Sequence, residues 1–183
     1  MATTVEDTQT NKASQQLRSE GRAGSRAESL AARIEEGAAR LADFAEGLTE
    51  QEWRTPISDT DRRTVGVIVH HVANMYAIEI DLARAVAGGK SVLDVTWDAV
   101  AQINAKHSQE NSHVTKSAAL QLLRQNSRQA AAAVRTFTDQ ELDNAGPLGL
   151  SFGAPMTAQF AIEDHALRHS WHHLAAIRKA LGR

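Results

Sequence analysis

Eight histidines are present, and six fall into two groups: His70 with His71, then His165, His169, His172 and His173. An imidazole can accept a proton, donate one, or give a lone pair to a metal. Residues four apart on a helix stack on one face, so His169 and His173 share a direction. Along that segment Ile162, Ala166, His169, His173, Ile177 and Leu181 follow steps of three to four, which sets both imidazoles in line with an apolar stripe. His172 groups instead with His165, Arg168 and Lys179 on a polar edge. Earlier in the chain Ile68, His71, Met75, Ile78 and Leu82 form a second stripe, while His70 aligns with Asn74, Ala77 and Asp81 toward water. Three imidazoles are thus expected to face the interior. A buried neutral imidazole needs partners for both ring nitrogens, and three together rarely find enough. A divalent metal meets that need, because zinc takes three histidines at about 2.0–2.1 Å and keeps a fourth position for water. Nickel and iron also accept imidazole, so the element stays open.

Other chemistries fit less well. The chain has no cysteine, which excludes disulfides, thiolate metal sites and a cysteine nucleophile. A zinc protease needs His-Glu-x-x-His, but Ser170 follows His169 and Ala166 follows His165. A di-iron bundle needs Glu-x-x-His on each of two helices, and the one copy, Glu110-Asn-Ser-His113, falls near a helix end. A serine nucleophile on an elbow turn is not expected, nor is a glycine-rich phosphate loop.

These side chains must be positioned by helices. Alanine is abundant, while aromatic residues are 4% of the 183 and prolines number three, a composition that favours helix over strand. The expected class is all-α, a helical bundle. A net charge of −2 gives no basic footprint for nucleic acid. No run of eighteen apolar residues suggests a membrane span, and the first residues lack the apolar block of a secretory signal, so a cytoplasmic protein is expected. Residues 1–27 read as a disordered or flexible extension and 28–183 as the folded domain. Helical spacing runs from Ser29 to about Gly47, from about Asp61 to Ala87, from Trp97 to His107 or Glu110, from Thr115 to about Phe137, and from Thr157 to Leu181. Thr49-Glu-Gln-Glu52 and Thr138-Asp-Gln-Glu141 are capping boxes for short turns. Asn144 to Pro155, rich in glycine and proline, reads as irregular.

Thr64-Val-Gly-Val-Ile-Val-His-His-Val-Ala73, after a turn carrying Glu52 and Trp53, resembles the second-helix motif of the DinB-like superfamily. That group includes mycothiol-dependent maleylpyruvate isomerase N-terminal domains and bacillithiol-dependent transferases. His165-Ala-Leu-Arg-His169-Ser-Trp-His-His173 is similar to the family's closing His-x-x-x-His signature, and Trp97 to His107 to its third helix. The resemblance covers about residues 28–182. It implies a four-helix bundle in an up-down-down-up arrangement, often homodimeric, with a divalent metal on His71, His169 and His173. His70 is the alternative to His71. It also implies that Asn104 and His107 line the same cavity, with Asn104 binding a cosubstrate. Trp53 and Trp171 read as packing residues.

The expected function is a metal-dependent enzyme, a thiol S-transferase or isomerase, using a low-molecular-weight thiol of the mycothiol or bacillithiol type on a small-molecule substrate. His165 and His107 are the candidates for proton transfer. A metal-dependent hydrolase, a biosynthetic tailoring enzyme and a non-catalytic stress or binding bundle are the alternatives. A homodimer is expected, with the Ala130–Ala133 stretch permitting close backbone approach.

Overall fold

The computed structural model describes residues 26–183. Helix α1 covers 26–46, followed by α2 (Glu50–Trp53), α3 (Val65–Ala87), α4 (Trp97–Glu110), α5 (Lys116–Val134) and α6 (Asp139–Asp143). A hairpin of β1 (Ala145–Pro147) and β2 (Pro155–Thr157) precedes the last rod. That rod runs without a break through α7 (Ala158–Ala161), a π-helical segment (Ile162–Leu167) and α8 (Arg168–Ala180). α1, α3, α5 and the last rod form a four-helix bundle with one continuous core. Among the described residues, no helix is long and apolar enough to cross a membrane.

Threonine sets the starts of the elements. Thr49, Thr64, Thr96, Thr115, Thr138 and Thr157 are all N-caps, each accepting a bond from a backbone N–H of the first turn. Each such cap contributes about 1 kcal/mol. Both expected capping boxes form, with Glu52 and Glu141 returning bonds to the backbones of Thr49 and Thr138. The Thr64 cap starts α3 later than the expected Asp61, which instead binds Arg63 in the loop. α5 stops at Val134 rather than Phe137.

α3 is buried nearly all round, which makes it the central helix. Trp53 rests on it so closely that a Cβ on Gly66 would lie 2.5 Å from the indole ring. Ala130 and Ala131 are buried in the core that α5 shares with α3. Ala132 of the same stretch is exposed and Ala133 half-buried.

Two expectations change here. Asn144–Pro155 is not wholly irregular: Ala145 pairs with Thr157, Gly146 with Met156 and Pro147 with Pro155. Strands of three residues are too short to show alternation. The folded domain also reaches back past residue 28, since Ala27 is fully buried and Arg26 bonds Asp143. The rest of the expected extension, residues 1–25, lies outside the described residues.

Candidate metal centre

His71 on α3 and His169 and His173 on α8 each bring one ring nitrogen within 4.8 Å of the others. His71 Nε2 and His169 Nε2 stand 3.2 Å apart. Two nitrogens on one tetrahedral zinc at about 2.05 Å would be about 3.3 Å apart, so this is ligand spacing. A hydrogen bond between them would satisfy only that pair. Burial, then the neighbouring imidazoles, hold His71 and His173 down at about 2, so both are neutral lone-pair donors near neutral pH. His71 Nδ1 is buried without a partner. This donor set fits a divalent ion that favours imidazole.

Glu79, which the sequence reading did not single out, stands behind the cluster. Its Oε1 lies 2.6 Å from His169 Nδ1, at ion-pair distance but off the line of a regular hydrogen bond. A carboxylate on the outer nitrogen of a histidine favours the tautomer whose Nε2 lone pair faces inward. The signal was available, because Glu79 is eight residues from His71 and so on the same helix face. A second tie locks the two helices together: Tyr76 and Ser170 hydroxyls bond at 2.7 Å in the core.

The remaining candidates separate. His70 does not point to water as its spacing suggested. Its Nδ1 lies 2.8 Å from His107 Nε2, and it stays outside the three-histidine group. His107 is buried beside His70 and edge-on to His71, and it does not line the cavity. Asn104 does line it, with Oδ1 buried and unpartnered. His165 was placed on a polar edge, yet it is half-buried and lines the cavity, with burial holding its pKa below the usual value. Arg168 and His172, which share that edge, line the cavity with it, so the polar edge faces the cavity.

The cavity measures about 640 Å³ and extends from the three histidines along α3, past Met75 and Ile78 to Leu82 and Leu150. Its other wall is α4. Trp53 is 3% exposed and donates Nε1–H to Val114 O, so it packs; Trp171 lies against Gly37 but stays 38% exposed.

The expectation that no Gly-x-Ser-x-Gly motif is present is wrong: Gly149-Leu-Ser-Phe-Gly153 spells it. A nucleophile elbow needs a strand-to-helix turn with the serine beside a histidine. Ser151 instead ends a 3₁₀ turn inside the hairpin, the left-handed residue is Phe152, and among the described residues no imidazole bonds Ser151.

A family model described as the DinB superfamily matches residues 33–177. A comparison with proteins of curated function returns no match. Among solved structures the chain is similar to YfiT from Bacillus subtilis, described as a probable metal-dependent hydrolase with an unusual four-helix bundle topology. The two align with a TM-score of 0.69 over 86% of each chain, at 24% identity. At that identity the likeness carries the fold alone.

Proposed function

Because the chain belongs to the DinB superfamily, we propose that it is a metal-dependent enzyme in which His71, His169 and His173 hold a divalent ion. One observation carries this reading: three imidazoles converge at the end of a cavity, and among the described residues no fourth imidazole or carboxylate joins them. Structural zinc sites are closed by a fourth protein ligand, whereas catalytic ones keep a position open. The chemistry supplied by a bound ion is Lewis acidity, under which an arriving thiol or water loses its proton near neutral pH.

The chain's own residues supply the rest. Glu79 orients His169, and Tyr76 with Ser170 fixes α8 against α3. Beyond the histidines the apolar residues of α3 and α4 flank the cavity. His165, neutral and on the cavity wall, is placed to take a proton. With no cysteine in the chain, a thiol nucleophile arrives from outside. On the family resemblance, the reaction we favour is attack by a low-molecular-weight thiol on an electrophilic substrate, as in an S-transferase or isomerase.

Hydrolysis is the second reading. It is favoured by His165, which serves water as readily as a thiol, and by what YfiT is described to be. The test loads the protein with zinc, nickel or iron and offers bacterial thiols with chloro-dinitrobenzene. Thiol-dependent turnover lost in His71→Ala supports the transferase. Ester or amide hydrolysis without thiol replaces it. A twofold homodimer belongs to the same proposal, and a monomer mass by light scattering at micromolar concentration refutes it.

A further inference from the structure

Of the fourteen residues in α4 only His107 is buried. Its Val100 and Ile103 face the cavity, as do Ile78 and Leu82 of α3. Ile78 and Ile103 stay 43% and 40% exposed. Two apolar helix faces thus stand apart across a cleft, leaving apolar surface in water that a bound molecule would cover. The separation is held at both ends. Trp97 Nε1 donates to Leu150 O at 3.0 Å, and His107 Nε2 meets His70 Nδ1 at 2.8 Å.

The cleft is also polarised. One end carries the three histidines, and one turn before His107 on the α4 wall lies Asn104, with its buried, unpartnered Oδ1. From His71 to Leu82 is eleven residues, about 16 Å along the helix at a rise of 1.5 Å each. There Leu82 joins Leu148 and Leu150 in a separate apolar cluster, with Val95 and Val100 against it.

We propose that the cavity takes an elongated amphipathic small molecule. Its polar head, bearing an N–H or O–H donor, lies at Asn104 and the histidines, and its apolar body runs between α3 and α4 toward Leu82 and Leu150. The placement of the head rests on the metal-dependent reading; that of the body does not. A hydroxyl-rich molecule gains little by covering the exposed apolar surface of Ile78 and Ile103, which an apolar body removes from water. The apolar end therefore belongs to the electrophile.

The test titrates n-alkyl hydroxamic acids, acetyl to octanoyl, into zinc-loaded protein by calorimetry. Kd is expected to fall about two- to fourfold per methylene, and Ile103→Asp to flatten that dependence. Asn104→Leu is expected to weaken every member by a common factor of about two to ten. Equal Kd for the acetyl and octanoyl members overturns the proposal. A second arm compares octanamide with acetamide in thermal melts of chelator-treated protein. A higher melting temperature with octanamide alone supports the apolar body, and no difference overturns it. Acetohydroxamic acid that binds zinc-loaded and chelated protein alike counts against the metal reading, and the octanamide arm still decides the body.

Discussion

Glu79 Oε1 and His169 Nδ1 meet at 2.6 Å from two different helices, their side chains only 7% and 14% exposed. Outer carboxylates of this kind typically contribute 10- to 100-fold to metal affinity. Glu79→Gln keeps the volume and removes the charge, and is expected to weaken zinc binding within that range in a chelator competition. Unchanged affinity would mean that Glu79 only fills space.

Metal removal should be visible in the melt. An ion at a hundred times its Kd stabilises the fold by about 2.7 kcal/mol, which for a domain of this size shifts the midpoint by about 5–10 °C. Chelation is expected to lower the melting temperature by that amount, and His173→Ala to remove the response. A chelator effect that survives in His173→Ala would place the ion elsewhere.

Acid should destabilise the chelated protein first. His71 and His173 sit at about 2 when folded against an ordinary 6.5, so between those values the unfolded chain binds more protons. Stability then rises with pH across that window and levels off above 6.5. At pH 5.5, one unit below the ordinary value, each imidazole is expected to cost on the order of 1 kcal/mol. Urea melts from pH 7 to 5 read this, and His71→Phe, which cannot titrate, should show a shallower decline. Equal slopes would put the proton uptake elsewhere.

Gly66 meets the Trp53 indole, and a methyl placed there would lie 2.5 Å from the ring. Gly66→Ala is expected to destabilise by about 1–3 kcal/mol through overpacking, read as a lower urea midpoint. Gly47→Ala, whose Cβ meets only a carbonyl at 3.8 Å, is the control. Equal midpoints for the two variants would refute the close contact.

What the sequence made legible was what helical periodicity can carry. His71, His169 and His173 fall on two apolar stripes, and the structure brings those same three nitrogens together. Glu79 directly follows the stripe residue Ile78, so the spacing that marks the apolar face does not mark the carboxylate beside it. The partnership of His70 with His107 depends on where α4 crosses α3, which spacing along one helix cannot report. The three-residue strands were too short to show a period. His165, Arg168 and His172 share the polar edge that spacing shows, but that this edge borders a cavity depends on where α4 stands, which spacing along one helix cannot report.

That segment, Ile162–Leu167, makes the last rod divisible. Deleting one residue there would restore ordinary α bonding and turn everything upstream by about 100°, while Ser170 kept α8 keyed to Tyr76. The half that carries His169 and His173 is therefore insulated from the half that leads back to the hairpin. A single-codon change in length would turn Ala158 and Ala161 away from the core they now share, so the upstream half must repack while the histidine half holds its place. In a lineage of such bundles, insertion or loss at this joint is a route to a new cavity wall around an inherited set of histidines.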